Sequence, residues 1–246
     1  MWKVYDELID PIPSTLKVDE AVIGKYWTFV RSAGRVGLAM SMKEISRPRC
    51  LPQNLQGMSL KELSASAKSW NFEEAALGIA AINAFWNGEG SKTAEASLNL
   101  GEKDSFKHWA GSVVGKKVAV IGHFPHLEKV LSGADELYIL EKRPVKDDYP
   151  DSACEYLLPN MDFVFATGVT LINKTLPRLL ELSAHCGIIL AGPSVPLAPC
   201  LLKRGVIDLQ GFVVTDPQKC VLGVKGETHS LIFDTGNRVS LRQSML

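Results

Sequence analysis

Several things are missing from this sequence, and each absence closes off a class of protein. No charge of one sign is in surplus: 27 basic and 27 acidic residues leave a formal net charge of zero. They are spread along the chain, so no basic stripe exists to neutralise a phosphate backbone, and nucleic acid is not expected as a partner. Long hydrophobic runs are absent too. Residues 186–202 form the longest apolar stretch, but Pro193, Pro196 and Pro199 break it. The next, residues 75–86, is too short to cross a bilayer, so no membrane partner is expected. The start, MWKVYDELIDPIP, offers no secretory apolar region, which points to the cytoplasm. Cysteines are few and scattered. Cys50, Cys154, Cys186, Cys200 and Cys220 form an odd set with no CxxC pair, which argues against a disulfide framework or a structural zinc site. Each reads as a small buried hydrophobe.

What is present is a globular composition, with 46% apolar and 22% charged residues. The pattern changes character near residue 88. NGEGSKTAEASLNLGEKDS, residues 87–105, is polar and rich in small residues and reads as a linker. It divides an α+β domain, residues 1–100, from a parallel-sheet domain, residues 101–246. In the first, AVIG, YWTFV and VGLAM flank a turn at Ser32, Ala33 and Gly34, which predicts a hairpin over residues 20–40. Ser59 with Glu62, and Asn71 with Glu74, have capping-box spacing, so helices should start there. The second, to about Trp86, is apolar on most faces and should be buried.

Beyond the linker, strand and helix alternate. Apolar runs at residues 117–122, 136–140, 163–167, 187–192 and 211–215 read as strands. Between them Pro125 opens a short helix carrying Leu127, Val130 and Leu131, and helical periodicity recurs at Leu176, Leu179 and Leu180 and over residues 198–203. Five such strands predict an α/β fold with a parallel sheet buried on both faces.

Ligands of open parallel sheets sit beyond the carboxyl ends of the strands, where loops converge. The loops there read GHFP from Gly122, EKRP from Glu141, TGVTLIN from Thr167, GPSVP from Gly192 and TDP from Thr215. Glu141 follows Gly122 by about twenty residues, where a dinucleotide-binding acid would grip a ribose, but the accompanying glycine fingerprint is missing. Backbone amides and hydroxyls at Thr167, Gly168, Thr170 and Asn173 are suited to a carboxylate or phosphate, with Asn173 as the cap of the next helix. Asp216, before Pro217, reads first as a helix cap and second as a ligand group. His123 and His126 bracket the first turn without a third metal ligand in sequence. His185 answers a helix dipole, and His108 and His229 carry no signal. Asn83, inside an apolar helix, must find partners: it either faces the cleft between the domains or bonds a neighbouring backbone, and Asn87 reads as the helix terminus.

Four stretches, AAINA at residues 80–84, IGHFP, ATGVTLINKTL from Ala166, and LAGPSVPLAPCLLKRGV into GFVVTD from Leu190, resemble the DUF364 family, also called the heavy-metal chelation domain family. The resemblance spans nearly the whole chain. It implies a small domain similar to the enolase amino-terminal fold, a Rossmann-like domain with some likeness to methyltransferases, and a site between them. The motif residues are Asn83, Gly122, Phe124, Pro125, Glu141, Thr167, Gly168, Thr170, Asn173, Gly192, Pro193, Ser194, Pro196 and Asp216. His123 joins them as a ligand residue.

Three functions compete. One is an enzyme acting on a small polar or heteroaromatic metabolite of metal-chelator or pterin-like metabolism, with Glu141 or Asp216 as acid or base. Another is a non-catalytic protein binding a transition metal or its complex through His123 or Cys200. The third is a methyl transfer enzyme using S-adenosylmethionine, with Glu141 on the ribose. A homo-oligomer is compatible with each.

Overall fold

The computed structural model describes residues 2–42, 47–98, 105–124, 127–226 and 228–242. Helix α1 (Lys3–Ile9) is followed by an antiparallel sheet of β1 (Glu20–Ile23), β2 (Trp27–Ser32) and β3 (Arg35–Met40), then by α2 (Leu60–Ala65) and α3 (Phe72–Trp86). The expected hairpin is β2–β3, with β1 added at its edge. Its turn residues Ala33 and Gly34 have φ of 49° and 77°, the two consecutive positive values of a turn whose twist matches that of its strands.

Asn71 caps α3 as expected, its side chain accepting from the Glu73 and Glu74 amides. Glu74 does not reach back. Its carboxylate instead takes the Cys50 and Leu51 amides and the Ser69 hydroxyl. Burial alone would raise that carboxyl, but these hydrogen bonds, with Arg49 nearby, outweigh burial and hold it below its ordinary value. Likewise α2 begins after Ser59, whose hydroxyl donates to the Ser14 carbonyl rather than capping.

The segment that reads as a linker contains α4 (Lys92–Leu98). Its KTAEASL sequence favours a helix, and Ser91 caps it by accepting from the Ala94 amide at 3.1 Å. After α5 (Ser105–Trp109) come β4 (Lys117–Ile121), α6 (Leu127–Val130), β5 (Glu136–Glu141), the two-residue β6 (Tyr149–Pro150), α7 (Cys154–Leu157), β7 (Phe163–Thr167), α8 (Val169–Ile172) and α9 (Leu176–Leu182). The chain closes with β8 (Gly187–Ala191), α10 (Pro199–Leu202), β9 (Val206–Val214), α11 (Pro217–Lys225) and β10 (Gly236–Arg242). Pro125 and His126 lie outside the described residues.

The large sheet runs β10-β9-β8-β7-β4-β5-β6, parallel throughout except for β10, which pairs antiparallel with β9. It thus adds two edge strands to the five expected. The fifth expected strand is longer than its apolar run, because Asp208 and Gln210 interrupt VIDLQ. Asp208 is fully buried and accepts from the Trp109 indole, the Gln210 amide, the Ser240 hydroxyl and Arg242. A buried carboxylate so partnered is tolerated inside a sheet. The chain winds outward from β4 in one direction to β5 and β6, and in the other to β7, β8 and β9. The reversal opens a crevice at the carboxyl ends of β4 and β7.

The small sheet is covered on both faces. Val30 and Ala39 point toward the helical layer that contains α3, whereas Trp27, Phe29, Val36 and Leu38 pack with Phe212, Val214, Val221 and Ile232 of the second half. Each of these buried side chains contributes about 1.5–3 kcal/mol, so the contact between the halves is a core rather than a hinge. α1 crosses the same boundary: the Tyr5 hydroxyl donates to the Leu171 carbonyl at 2.7 Å, and Glu7 holds Arg204 at 2.7 and 2.8 Å. No helix among the described residues is long and apolar enough to cross a membrane.

Candidate functional site

At the ends of β4 and β8 the backbone turns through Gly122 (φ 100°) and Gly192 (φ 110°), conformations that cost a residue with a side chain. These turns free the carboxyl edge of the sheet. Along that edge, under the small sheet, runs a cavity of about 1260 Å³, larger than the ~300–1,000 Å³ usual for small-molecule sites. It extends from Phe212 on β9, past Gly192, Thr167 and Gly122, to Glu141 at the end of β5. Four strand gaps of ~4.8 Å separate those ends, so an elongated ligand fits.

Most residues expected from sequence gather here: Gly122, His123, Phe124, Glu141, Thr167, Thr170, Asn173, Gly192, Pro193 and Ser194 all line the cavity. Their local roles differ. Both Glu141 oxygens accept backbone amides, from His123 at 3.0 Å and Lys142 at 2.8 Å, so this carboxylate ties the β4 and β5 loops together. The His123 imidazole stands 3.5 Å from Asp148. Phe124 meets Phe106 edge-on at 4.9 Å. The Thr170 hydroxyl donates to the Thr167 carbonyl at 2.7 Å, and the Thr167 hydroxyl accepts from the Val169 amide. Asn173 does not cap α9. It closes α8, and its side chain accepts from the Thr175 amide and hydroxyl in an Asx turn.

A second group stands behind the wall. Asn83, fully buried, faces the junction and bonds backbone at once: its amide donates to the Leu38 carbonyl at 2.7 Å and the Pro193 carbonyl at 3.3 Å. Among the described residues its side-chain oxygen has no partner, although it is buried. Asn87, one turn on, ends α3 as expected and also donates to the Val195 carbonyl and accepts from the Leu197 amide, both at 2.8 Å. Ser194 accepts from the Met40 amide at 2.9 Å. The GPSVP loop is therefore clamped to α3 and β3, with Pro196 buried in it. Gly168 lies so close to the Ser194–Val195 backbone that a β-carbon would sit 2.7 Å from it.

Asp216 is not on the cavity wall. β9 is nine residues long against five for β8, and its pairing sets Ala191 opposite Gln210. Gln210 and Gly211 therefore take the wall position, and the strand runs past it. Asp216, exposed, accepts from the Lys219 amide at 2.9 Å and caps α11. Cys200 lies apart as well, in a surface depression with Glu7 and Arg204. It shares no site with His123.

Several wall residues carried no sequence signal. Tyr26, Trp27, Phe212, His229 and Phe233 make the β9 end aromatic; the Trp27 indole donates to the His229 carbonyl and the two rings lie 5.3 Å apart. Lys142, Lys174 and Arg178 make the other end cationic. Arg178 is neutralised by Glu155 and Glu181, whose hydrogen bonds push its pKa up. Lys174, 6% exposed, is pushed down to about 8 by desolvation. Cys154, also in the wall, is pushed up to about 11 by burial, with Asp151 adding to the effect, so it is a thiol at neutral pH.

Residues 104–241 match the family model DUF364, and residues 5–86 match DUF4213, both described as "Putative heavy-metal chelation". The uncharacterized protein MJ0500 of Methanocaldococcus jannaschii is 30% identical over 221 residues, which cover 84% of this chain and 82% of that one. A crystal structure of a DUF364 protein of unknown function from Desulfitobacterium hafniense superposes with a TM-score of 0.92 at 40% identity, covering 99% of both chains. The fold is shared by a Pyrococcus horikoshii DUF364 protein, PH1506, with a TM-score of 0.82, 23% identity, and coverage of 97% and 98%.

Proposed function

The chain belongs to the DUF364 heavy-metal chelation family, and from that premise we propose that its cleft binds, and acts on, a small polar or heteroaromatic metabolite of the metal-chelator or pterin-like kind. One observation carries this reading: a cavity of about 1260 Å³ follows the carboxyl edge of the parallel sheet, with aromatic side chains at one end, flanked by Lys25 and Arg238, and the cations Lys142, Lys174 and Arg178 at the other. Planar rings stack on the first and acidic substituents pair with the second. Glu141 is a carboxylate of the wall whose two oxygens each keep a lone pair beyond the one backbone amide they accept, and it is the group we assign to proton transfer.

The side chains present do not suit a bare heavy-metal ion. Among the described residues no three His, Cys, Asp or Glu side chains stand together as a metal site. Soft metals are held by thiolates, and burial keeps Cys154, the cysteine on the cavity wall, protonated. The family's link to metals is therefore assigned to the organic ligand, a chelator or its precursor, rather than to protein side chains.

Melting curves recorded with neopterin, 2,3-dihydroxybenzoate and pyridine-2,6-dicarboxylate test the proposal, using wild type, Phe124→Ala and Glu141→Gln. We expect stabilisation by at least one compound, reduced in Phe124→Ala. Equal shifts in all three proteins would reject the cleft as the binding site.

A further inference from the structure

We propose that Lys174 and Lys142 form the oxyanion-binding end of the cleft, taking a carboxylate or phosphate group of its ligand. This rests on the cleft being the ligand site and adds the ligand's charge and its anchor.

The backbone supplies the first argument. Lys174 follows Asn173, the residue that closes α8, and has φ of 68°. Helices ending in this way usually place glycine there, because a β-carbon is strained in the left-handed region. A long side chain at such a position is useful for what its far end reaches. The Asn173–Thr175 turn holds the strained residue in place.

The second argument is the state of that far end. The Lys174 side chain is turned inward rather than out to water, contrary to the habit of lysines. Its ammonium donates to the Ile172 carbonyl at 2.7 Å and lies 5.9 and 5.5 Å from the Trp70 and Phe72 rings. An ammonium has three donors. Among the described residues no other acceptor and no carboxylate meets it, although Lys174 lines the cavity.

Lys142 supplies the third. Its ammonium lies 5.4 Å from the same Phe72 ring and, among the described residues, also lacks a carboxylate partner. Glu141 beside it accepts the His123 and Lys142 amides and makes no ion pair with the Lys142 ammonium. Two lysines, one buried and one exposed, thus lie near one ring, and neither has a carboxylate partner among the described residues, whereas nearby Arg178 is fully paired. An oxyanion reached by both would complete the hydrogen bonding of Lys174 and offset its desolvation. The depressed pKa of Lys174 is what an ammonium awaiting a counter-ion would have.

Titration calorimetry on the full chain tests this with inorganic pyrophosphate, pyridine-2,6-dicarboxylate and its uncharged dicarboxamide. The two anions distinguish phosphate from carboxylate. We expect at least one to bind wild type, to lose about tenfold or more in affinity with Lys174→Met and less with Lys142→Met, and the dicarboxamide to be indifferent to both. Should Lys174→Met fail to fold, mass spectrometry of acetylated wild type gives the answer, because the bound anion must protect Lys142. Anion affinity equal in wild type and both variants, or no anion binding at all, would overturn the proposal. The cleft itself would still stand if the dicarboxamide bound and Phe124→Ala weakened it.

Discussion

Holding an ammonium inside the wall of a cavity has a thermodynamic signature that can be read without any ligand. Lys174 is desolvated, and its pKa falls from 10.5 to about 8 in the folded chain. Below pH 8 it is charged in both folded and unfolded states, and the cost of burying that charge is fully present. Between pH 8 and 10.5 the folded protein has released the proton while the unfolded chain still holds it, so stability must climb with pH. Above 10.5 both forms are neutral and the cost is gone. At 1.36 kcal/mol per pKa unit, the full swing is about 3 kcal/mol, of which about 2 kcal/mol falls between pH 7 and pH 9.5. Lys174→Met keeps the length of the side chain and the backbone strain but has nothing to titrate. Urea unfolding of both proteins at the two pH values isolates the effect, because all other titrations cancel in the difference. Wild type should gain about 2 kcal/mol on the variant, or roughly 4–8 °C in melting temperature for a chain of this size. A difference between the two proteins that does not change with pH would refute the assignment of a buried charge to this residue.

Other consequences are simpler. Asn87→Ala removes two buried hydrogen bonds and strands the Val195 carbonyl and Leu197 amide, so urea unfolding should show a loss of about 2–4 kcal/mol. Among the described residues Gly192→Ala meets no neighbour within 4 Å, yet its φ of 110° should cost about 1–3 kcal/mol, seen as a lower melting temperature with unchanged far-ultraviolet dichroism. At pH 7.5 an aromatic disulfide reagent should modify exposed Cys50 promptly. Cys154 and Cys220, buried and pushed up to about 11, should react only after unfolding, which counting released thiols will check.

The parts legible in sequence were those where local pattern and tertiary environment agree. The apolar runs of β4, β7 and β8 and the capped, small-residue helix α3 have the same meaning alone and in the fold. Where a tertiary partner decides, the pattern misleads. Asp208 breaks an apolar run and hides the first half of β9, because its partners Trp109 and Arg242 are distant in sequence. That hidden length also displaces Asp216 from the rim. The stretch INKTL allows Asn173 to serve either of two adjoining helices, and only the backbone shows that it closes the first. Lys174 is a similar case: a lysine in a polar turn reads as solvated, and nothing in its neighbours announces an inward side chain. The cationic end of the cleft was therefore not legible, although the glycine and threonine turns that frame it were.

The seat of α1 bears on how the chain assembles. Its tyrosine waits for an acceptor 166 positions downstream, and its glutamate for an arginine farther still. During synthesis this first helix can lie early on α2 and α3, where Trp86 donates to the Leu8 carbonyl and Lys61 to the Asp10 carbonyl, but its bonds to the second half form only after residue 204 has emerged, so that part of its docking comes late.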